Sequence, residues 1–321
     1  MPRSTQGITI LRRLAAAATS VLALAATILC AGAVAVADTG ETVIAADYTN
    51  AAGTRHYFVY APPGDTAGLP LVVWLHGCGG SISDDDNPPD DVITTDFLAQ
   101  FARDRGFVVV YPIQPWTSNL LGCWNWFDAA NQHRDAGEPS IIAGITETVR
   151  AQFHSDPSRV YLIGHSSGGL MATILGAAYP DRYAAISTWC SAAYQSSTDV
   201  TGAEAFREMG PRARPIPTFL VEDGTDVLST EPIGRLAVNQ WLGTNALALG
   251  RTGPLPPPTS VERFDADPSI GFRAGGILES HDMGPIQVQL LTVDDGGHNL
   301  RGSVIGVGRQ ALDFLFRYRL P

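Results

Sequence analysis

Ser166 stands at the centre of Gly164-His165-Ser166-Ser167-Gly168, after the β-forming run Arg159 to Ile163 and before an alanine-, leucine- and methionine-bearing stretch, Gly169 to Ala178. Small residues on both sides suit a tight reversal from strand to helix, because they lack the side-chain bulk that would collide as the chain turns. The central hydroxyl is then exposed at the top of a sheet. A serine hydroxyl is a weak nucleophile until a base takes its proton, and that base needs an acid to hold its ring in the useful tautomer.

The order serine, acid, histidine places both partners downstream of Ser166. His298 fits the base, in Val293-Asp294-Asp295-Gly296-Gly297-His298-Asn299, a glycine-rich loop between the last strand and a closing helix. For the acid, the run Ile216 to Glu222 leads into Asp223-Gly224-Thr225-Asp226. Asp226 is preferred, with Asp223 the chief rival and Glu222 a further one. A tetrahedral intermediate also needs donors aimed at its oxyanion. Ser167, at the helix start, offers one backbone N–H, and the loop Leu75-His76-Gly77-Cys78-Gly79-Gly80 offers another, expected from Cys78.

His76 and His165 flank this constellation and are read as positioning or packing residues. The seven histidines form no ligand-spaced cluster, so neither a metal nor another cofactor is expected.

The elements that must carry these residues alternate along the chain. Strands are expected at His56 to Ala61, Leu71 to His76, Phe107 to Tyr111, Arg159 to Ile163, Tyr183 to Trp189, Ile216 to Glu222 and Gln287 to Val293. Helices are expected at Asp96 to Asp104, Ile141 to Phe153, Gly169 to Tyr179, Glu231 to Leu242 and Gly306 to Tyr318. Short, continuous apolar strands separated by helices imply a mostly parallel central sheet covered on both faces, an α/β fold. Ser81 to Asp91 and the proline-rich Leu249 to Ser260 read as surface loops.

Arg12 and Arg13 precede an apolar stretch from Leu14 to Val36 that ends in Ala35-Val36-Ala37, the pattern of a cleaved signal peptide spanning residues 1–37. Residues 38–321 would then form one catalytic domain. The formal charge of −11 and the absence of a basic stripe argue against nucleic acid and against stable association with anionic membrane. A secreted, extracellular monomer is the expectation. Export would leave Cys78, Cys123 and Cys190 where disulfides persist. Counting cannot choose the pair. Cys78 and Cys123 each follow a strand expected to end at the active face, which favours joining them and leaves Cys190 as a buried small hydrophobe.

With these residues in place, the chain resembles the secreted esterase family that includes extracellular poly(3-hydroxybutyrate) depolymerases, related to feruloyl and acetylxylan esterases. The resemblance runs through Arg55-His56-Tyr57-Phe58-Val59-Tyr60-Ala61-Pro62, Leu75-His76-Gly77-Cys78, Tyr111-Pro112-Ile113-Gln114, Cys123-Trp124-Asn125-Trp126-Phe127, Gly137-Glu138-Pro139 and Asp156-Pro157-Ser158-Arg159-Val160-Tyr161. It implies an α/β-hydrolase fold, catalysis by Ser166, Asp226 and His298, and an oxyanion donor at Cys78 while that residue is bonded to Cys123. It also implies that Trp124 and Trp126 shape the substrate site. The substrate it implies is a poly(3-hydroxyalkanoate) chain or oligomer, or alternatively a feruloyl or acetyl ester on xylan. Two features differ from the family pattern: Gly80 stands where glutamine is usual, and one residue rather than two separates Asp223-Gly224 from Asp226, which keeps Asp223 open. No separate polymer-binding domain is expected.

Overall fold

The computed structural model describes residues 33–34, 40–79 and 97–321. The expected leader lies outside the described residues except for Ala33–Val34, a two-residue strand (β1) paired with the first long strand. The expected loop at residues 81–91 also lies outside them.

Chain order is β2 (Thr42–Asn50), β3 (Gly53–Ala61), β4 (Leu71–Leu75), α1 (Phe97–Arg105), β5 (Val108–Pro112), α2 (Gly137–Gln152), β6 (Val160–His165), α3 (Ser167–Ala178), β7 (Ala185–Trp189) and α4 (Ala203–Met209). There follow β8 (Thr218–Asp223), α5 (Glu231–Ala248), β9 (Ser260–Phe264), β10 (Gly276–Asp282), β11 (Gln287–Val293) and α6 (Val304–Leu315). The strands form one sheet in the order β1-β2-β3-β5-β4-β6-β7-β8-β11-β10-β9. Its centre, from β5 through β4, β6, β7 and β8 to β11, is parallel, and antiparallel strands extend both edges.

The central strands are buried almost throughout because both faces are covered. Leu71, Val73 and Leu75 of β4 enter one core with Ile141, Ile145, Met171, Leu175 and Trp241, while Val72 enters the other with Leu98, Phe101, Val307 and Leu312. Alternate side chains of a strand point to opposite faces, so a five-residue strand feeds both layers. Each expected strand and helix in the described region is present, with ends shifted by a few residues.

Four strands and one short helix were not expected: β1, β2, β9, β10 and α4. Burial explains the omission for β9, whose pattern is largely exposed and whose Glu262 and Arg263 give no apolar signal. It is a strand because β10 pairs with it, and β10 in turn is ordered along β11.

The parallel arrangement matters for the site. It brings the C-terminal ends of β4, β6, β8 and β11 to one edge of the sheet, and the residues with candidate chemistry follow those ends.

Candidate active site

Ser166 closes β6 and opens α3 with φ 52° and ψ −119°, a left-handed backbone that a non-glycine residue holds only when its surroundings enforce it. A Cβ on Gly164 would lie 2.2 Å from the Gly168 carbonyl oxygen, and one on Gly168 would lie 2.1 Å from that of Leu75. The glycines are therefore required by close backbone approach on both sides of the serine. The Ser166 N–H is tied to the Trp189 carbonyl at 2.8 Å, anchoring the elbow to β7.

Downstream, Gly296 (φ 154°) and Leu300 (φ 52°) bracket the single turn that carries His298. The turn after β8 carries Asp226 and is stitched to β11 by Gly224 N–H to Val293 O at 2.8 Å. These turns bring the three side chains into line. His298 Nε2 lies 2.8 Å from Ser166 Oγ, and His298 Nδ1 lies 2.7 Å from Asp226 Oδ2. With Nδ1–H donated to the carboxylate, Nε2 is free to accept from the serine hydroxyl.

Asp226 also accepts N–H bonds from Leu228 (2.7 Å) and Ser229 (3.1 Å). Burial works against its ionisation, but the bonds from His298, Leu228 and Ser229 outweigh it and hold the carboxyl below its ordinary value.

The rival acids point elsewhere. Asp223 Oδ1 is taken by the N–H and hydroxyl of its neighbour Thr225, at 2.8 and 2.6 Å. Glu222 is buried against α5, where a Cβ on Gly234 would fall 0.6 Å from Oε1, and among the described residues neither of its carboxyl oxygens has a hydrogen-bond partner.

On the other side of Ser166 the Cys78–Cys123 disulfide is formed, with Cα atoms 4.0 Å apart. Gly79 N–H to Leu121 O (2.9 Å) clamps the same two loops. Ser167 is buried at the start of α3, and its hydroxyl accepts from the Trp124 N–H at 3.4 Å. Among the described residues neither the Cys78 N–H nor the Ser167 N–H has a hydrogen-bond partner. The second is an ordinary consequence of standing in the first turn of a helix.

Beneath these loops lies a hub to which sequence reasoning gave no role. The buried carboxylate of Glu138 accepts from Arg55 Nη2 (3.0 Å), Gln114 Nε2 (2.5 Å), Asn125 N (2.8 Å) and Asn125 Nδ2 (2.8 Å). Gln114 Nε2 reaches on to the Cys123 carbonyl at 3.0 Å. Every member of this hub lies in a motif that carries the family resemblance, which was the available signal.

His165 donates Nε2–H to the His298 carbonyl at 2.7 Å, steadying the loop that carries His298.

A cavity of about 360 Å³ opens beside Ser166 and His298, its wall made of large apolar side chains, Trp126, Leu170, Leu228, Ile233 and Leu236, with the smaller Ser191, Ser196, Ser197 and Ser229 between them. Trp126 thus shares a cavity with Ser166 and His298. Trp124 does not: its ring is fully buried, with its centroid 5.5 Å from that of His76, and no part of it lines the cavity. Its position corrects the expectation of substrate contact, since a side chain sealed in the core can act only through what packs on it. A larger groove of about 630 Å³, between the β2–β3 hairpin and α2, contains none of the three aligned residues. Chemistry, not size, selects the smaller cavity.

Cys190 is free and buried, as expected, but it also stands beside the aligned residues. Its thiol, the Asp226 carboxylate and the His298 ring each offer an atom within 4.8 Å of the others. Asp226 and His298 are already engaged with each other, and burial with nearby Asp226 and Asp223 pushes the thiol well above its ordinary value, away from the thiolate a metal requires. Among the described residues no helix is long and apolar enough to cross a membrane.

The chain is 27% identical over 256 residues to poly(3-hydroxyalkanoate) depolymerase C of Paucimonas lemoignei, covering 77% of this chain and 58% of that protein. It is 31% identical over 177 residues to feruloyl esterase B of Neurospora crassa, covering 54% of this chain and 57% of that one. It therefore spans little more than half the length of these relatives. Among solved structures it is similar to an acetyl xylan esterase from Aspergillus awamori, with a TM-score of 0.64 at 18% identity over 82% of this chain and 94% of that one, a likeness of fold. The fold is that of the α/β hydrolases. Residues 55–244 match the family described as esterase PHB depolymerase, and the chain belongs to that family.

Proposed function

We propose that this chain is a secreted serine carboxylic-ester hydrolase acting on poly(3-hydroxyalkanoate) chains or their oligomers. The observation that carries the reading is the continuous line from Asp226 through His298 to Ser166, at 2.7 and 2.8 Å. In this reading Ser166 Oγ attacks the ester carbonyl carbon as His298 Nε2 takes its proton. Asp226 holds the ring in position and stabilises the imidazolium that forms. The oxyanion is met by the Cys78 and Ser167 N–H groups, donors fixed before reaction and so needing no reorganisation during it. His298 returns the proton to the departing alcohol, and a water activated by the same ring releases the acid from Ser166.

The apolar lining of the cavity supports a polyester. So do the large apolar side chains left exposed on the two loops, Leu120, Leu121 and Phe127 on the Cys123 loop and Val227 and Leu228 on the Asp226 loop. The name of the Paucimonas lemoignei relative points the same way. Trp126 and Phe127, packed edge to face with centroids 5.6 Å apart, support a second reading, an aromatic or acetyl ester on xylan, in keeping with the names of the fungal relatives.

The deciding experiment measures acid release from 3-hydroxybutyrate oligomers and feruloylated xylan oligosaccharides in parallel, with Ser166→Ala as the blank. Turnover of the hydroxybutyrate oligomers alone is expected. Turnover of the xylan esters alone would reject the polyester reading.

A further inference from the structure

The peptide joining Gly77 to Cys78 is held at one end only. Its carbonyl accepts from His76 Nδ1 at 2.7 Å, whereas its N–H has no partner among the described residues. The His76 ring is buried, and its Nε2 accepts the Gln114 backbone N–H at 3.0 Å. A backbone N–H cannot accept, so Nε2 must be the bare nitrogen and the proton must sit on Nδ1. Burial also holds His76 below the ordinary histidine value, outweighing the bond to Gly77, so the ring stays neutral.

Gln114 is itself bonded through both ends of its side-chain amide. Its side chain accepts from Arg55 Nε at 2.8 Å and donates to Glu138 and to the Cys123 carbonyl. The orientation of His76 is thus inherited from the buried hub beneath the loop.

In a trans peptide the carbonyl and the N–H lie in one plane and point in opposite directions. Turning the Gly77 carbonyl toward His76 turns the Cys78 N–H away from it. Gly77 itself faces Ser166, since a Cβ there would lie 3.1 Å from Ser166 Cβ and 2.7 Å from His165 Nδ1. That closeness forbids a larger residue, yet glycine is the residue whose neighbouring peptide rotates most readily. The disulfide anchors Cys78 through its side chain and leaves the plane of the preceding peptide free to turn. A second constraint is needed.

We infer that His76 is a positioning residue that locks the Gly77–Cys78 peptide, so that the Cys78 N–H faces the oxyanion formed at Ser166. This rests on the ester-hydrolase reading above and adds to it the residue that aims one of the two donors.

The test exploits the two nitrogens of the ring. Asparagine places an amide N–H near the position of Nδ1 and can still hold the Gly77 carbonyl. Glutamine reaches the position of Nε2 and can satisfy only Gln114. Turnover of a soluble p-nitrophenyl ester by the unsubstituted protein, abolished by Ser166→Ala, first tests the esterase reading by itself.

Against that baseline, His76→Gln and His76→Ala are expected to lower kcat by roughly 10- to 100-fold with KM little changed, as for a donor that acts only in the transition state. His76→Asn is expected to stay within a few-fold of the original kcat. Equal losses in the asparagine and glutamine variants, an unchanged kcat in the alanine variant, or a loss confined to KM would overturn the inference. The unsubstituted protein offers a check that needs no variant to fold. Nitrogen-15 spectra of His76 at neutral pH should show a protonated Nδ1 and a bare Nε2, and the opposite tautomer would overturn the lock.

Discussion

The two sides of Ser166 are built differently. On the Cys78 side, a disulfide, a backbone clamp and a buried carboxylate with four donors fix the loops to one another and to β3. On the His298 side, the side chains stand on short turns after β8 and β11 and are held by individual hydrogen bonds. The difference fits what each side would do in the proposed reaction. A backbone donor is useful only if it is already aimed, so its loop has to be rigid. A base that takes and returns a proton needs a fixed tautomer and a short reach, which a carboxylate and a turn can provide. Damage to the His298 side should therefore appear as lost catalysis in a stable protein. Damage to the Cys78 side should appear first as lost stability.

The largest effect is expected from His298→Ala, with kcat lowered by about 10^6-fold while the unfolding midpoint in urea hardly moves. A large loss of stability in that variant would break the contrast. Next comes Asp226→Asn, which leaves the ring without its tautomer-fixing acceptor and should lower kcat by about 10^4-fold. Asp223→Asn should change it no more than a few-fold, because Asp223 is engaged with Thr225; comparable losses in the two variants would return Asp223 to the relay.

On the other side, Glu138→Ala strands the Arg55 guanidinium, whose pairing side chains are only 12% and 4% exposed. The expected cost is about 3–5 kcal/mol in urea unfolding, because a buried charge is left uncompensated. Removing the disulfide by a paired Cys78→Ser and Cys123→Ser change should cost a comparable ~3–4 kcal/mol. Neither figure should be matched by any substitution at Asp226.

A further effect concerns pH. Burial pushes the Glu222 carboxyl up to about 8, far above the ordinary value of about 4.3. A folded value raised above the unfolded one means that the folded state binds the extra proton. Its stabilising contribution is complete below the ordinary value and is lost as pH rises through the window toward 8. Glu222→Gln should therefore be more stable than the original chain at pH 8, with the difference vanishing on acidification. Asp226 runs the other way. Its depressed value makes its contribution present above the ordinary aspartate range and lost as pH falls through the lower folded value.

The parallel centre of the sheet was legible because continuous apolar runs such as Leu71-Val72-Val73 and Val108-Val109-Val110 can be satisfied only by cover on two faces. The elbow was legible because backbone crowding at Gly164 and Gly168 leaves no alternative to glycine. What could not be read locally was set by partners distant in the chain. Strand β9 takes its form from pairing with β10, not from its own exposed residues. Asp226 and Asp223 differ only in which way a turn points them, which spacing does not reveal. The wholly buried Trp124 and the half-buried Trp126 are two residues apart in one motif, and only packing separates them into core and cavity wall. The Glu138 hub joins segments more than eighty residues apart, as in its bond to Arg55, so its members were visible as motifs but not as a network.

The central claim is that His298 activates Ser166 for covalent chemistry. Its most direct test treats the folded protein with a fluorophosphonate and maps the adduct by peptide mass spectrometry. The account predicts stoichiometric labelling on the peptide containing Ser166, suppressed in His298→Ala. A folded protein that takes no label, or that is labelled on a different serine, would contradict it.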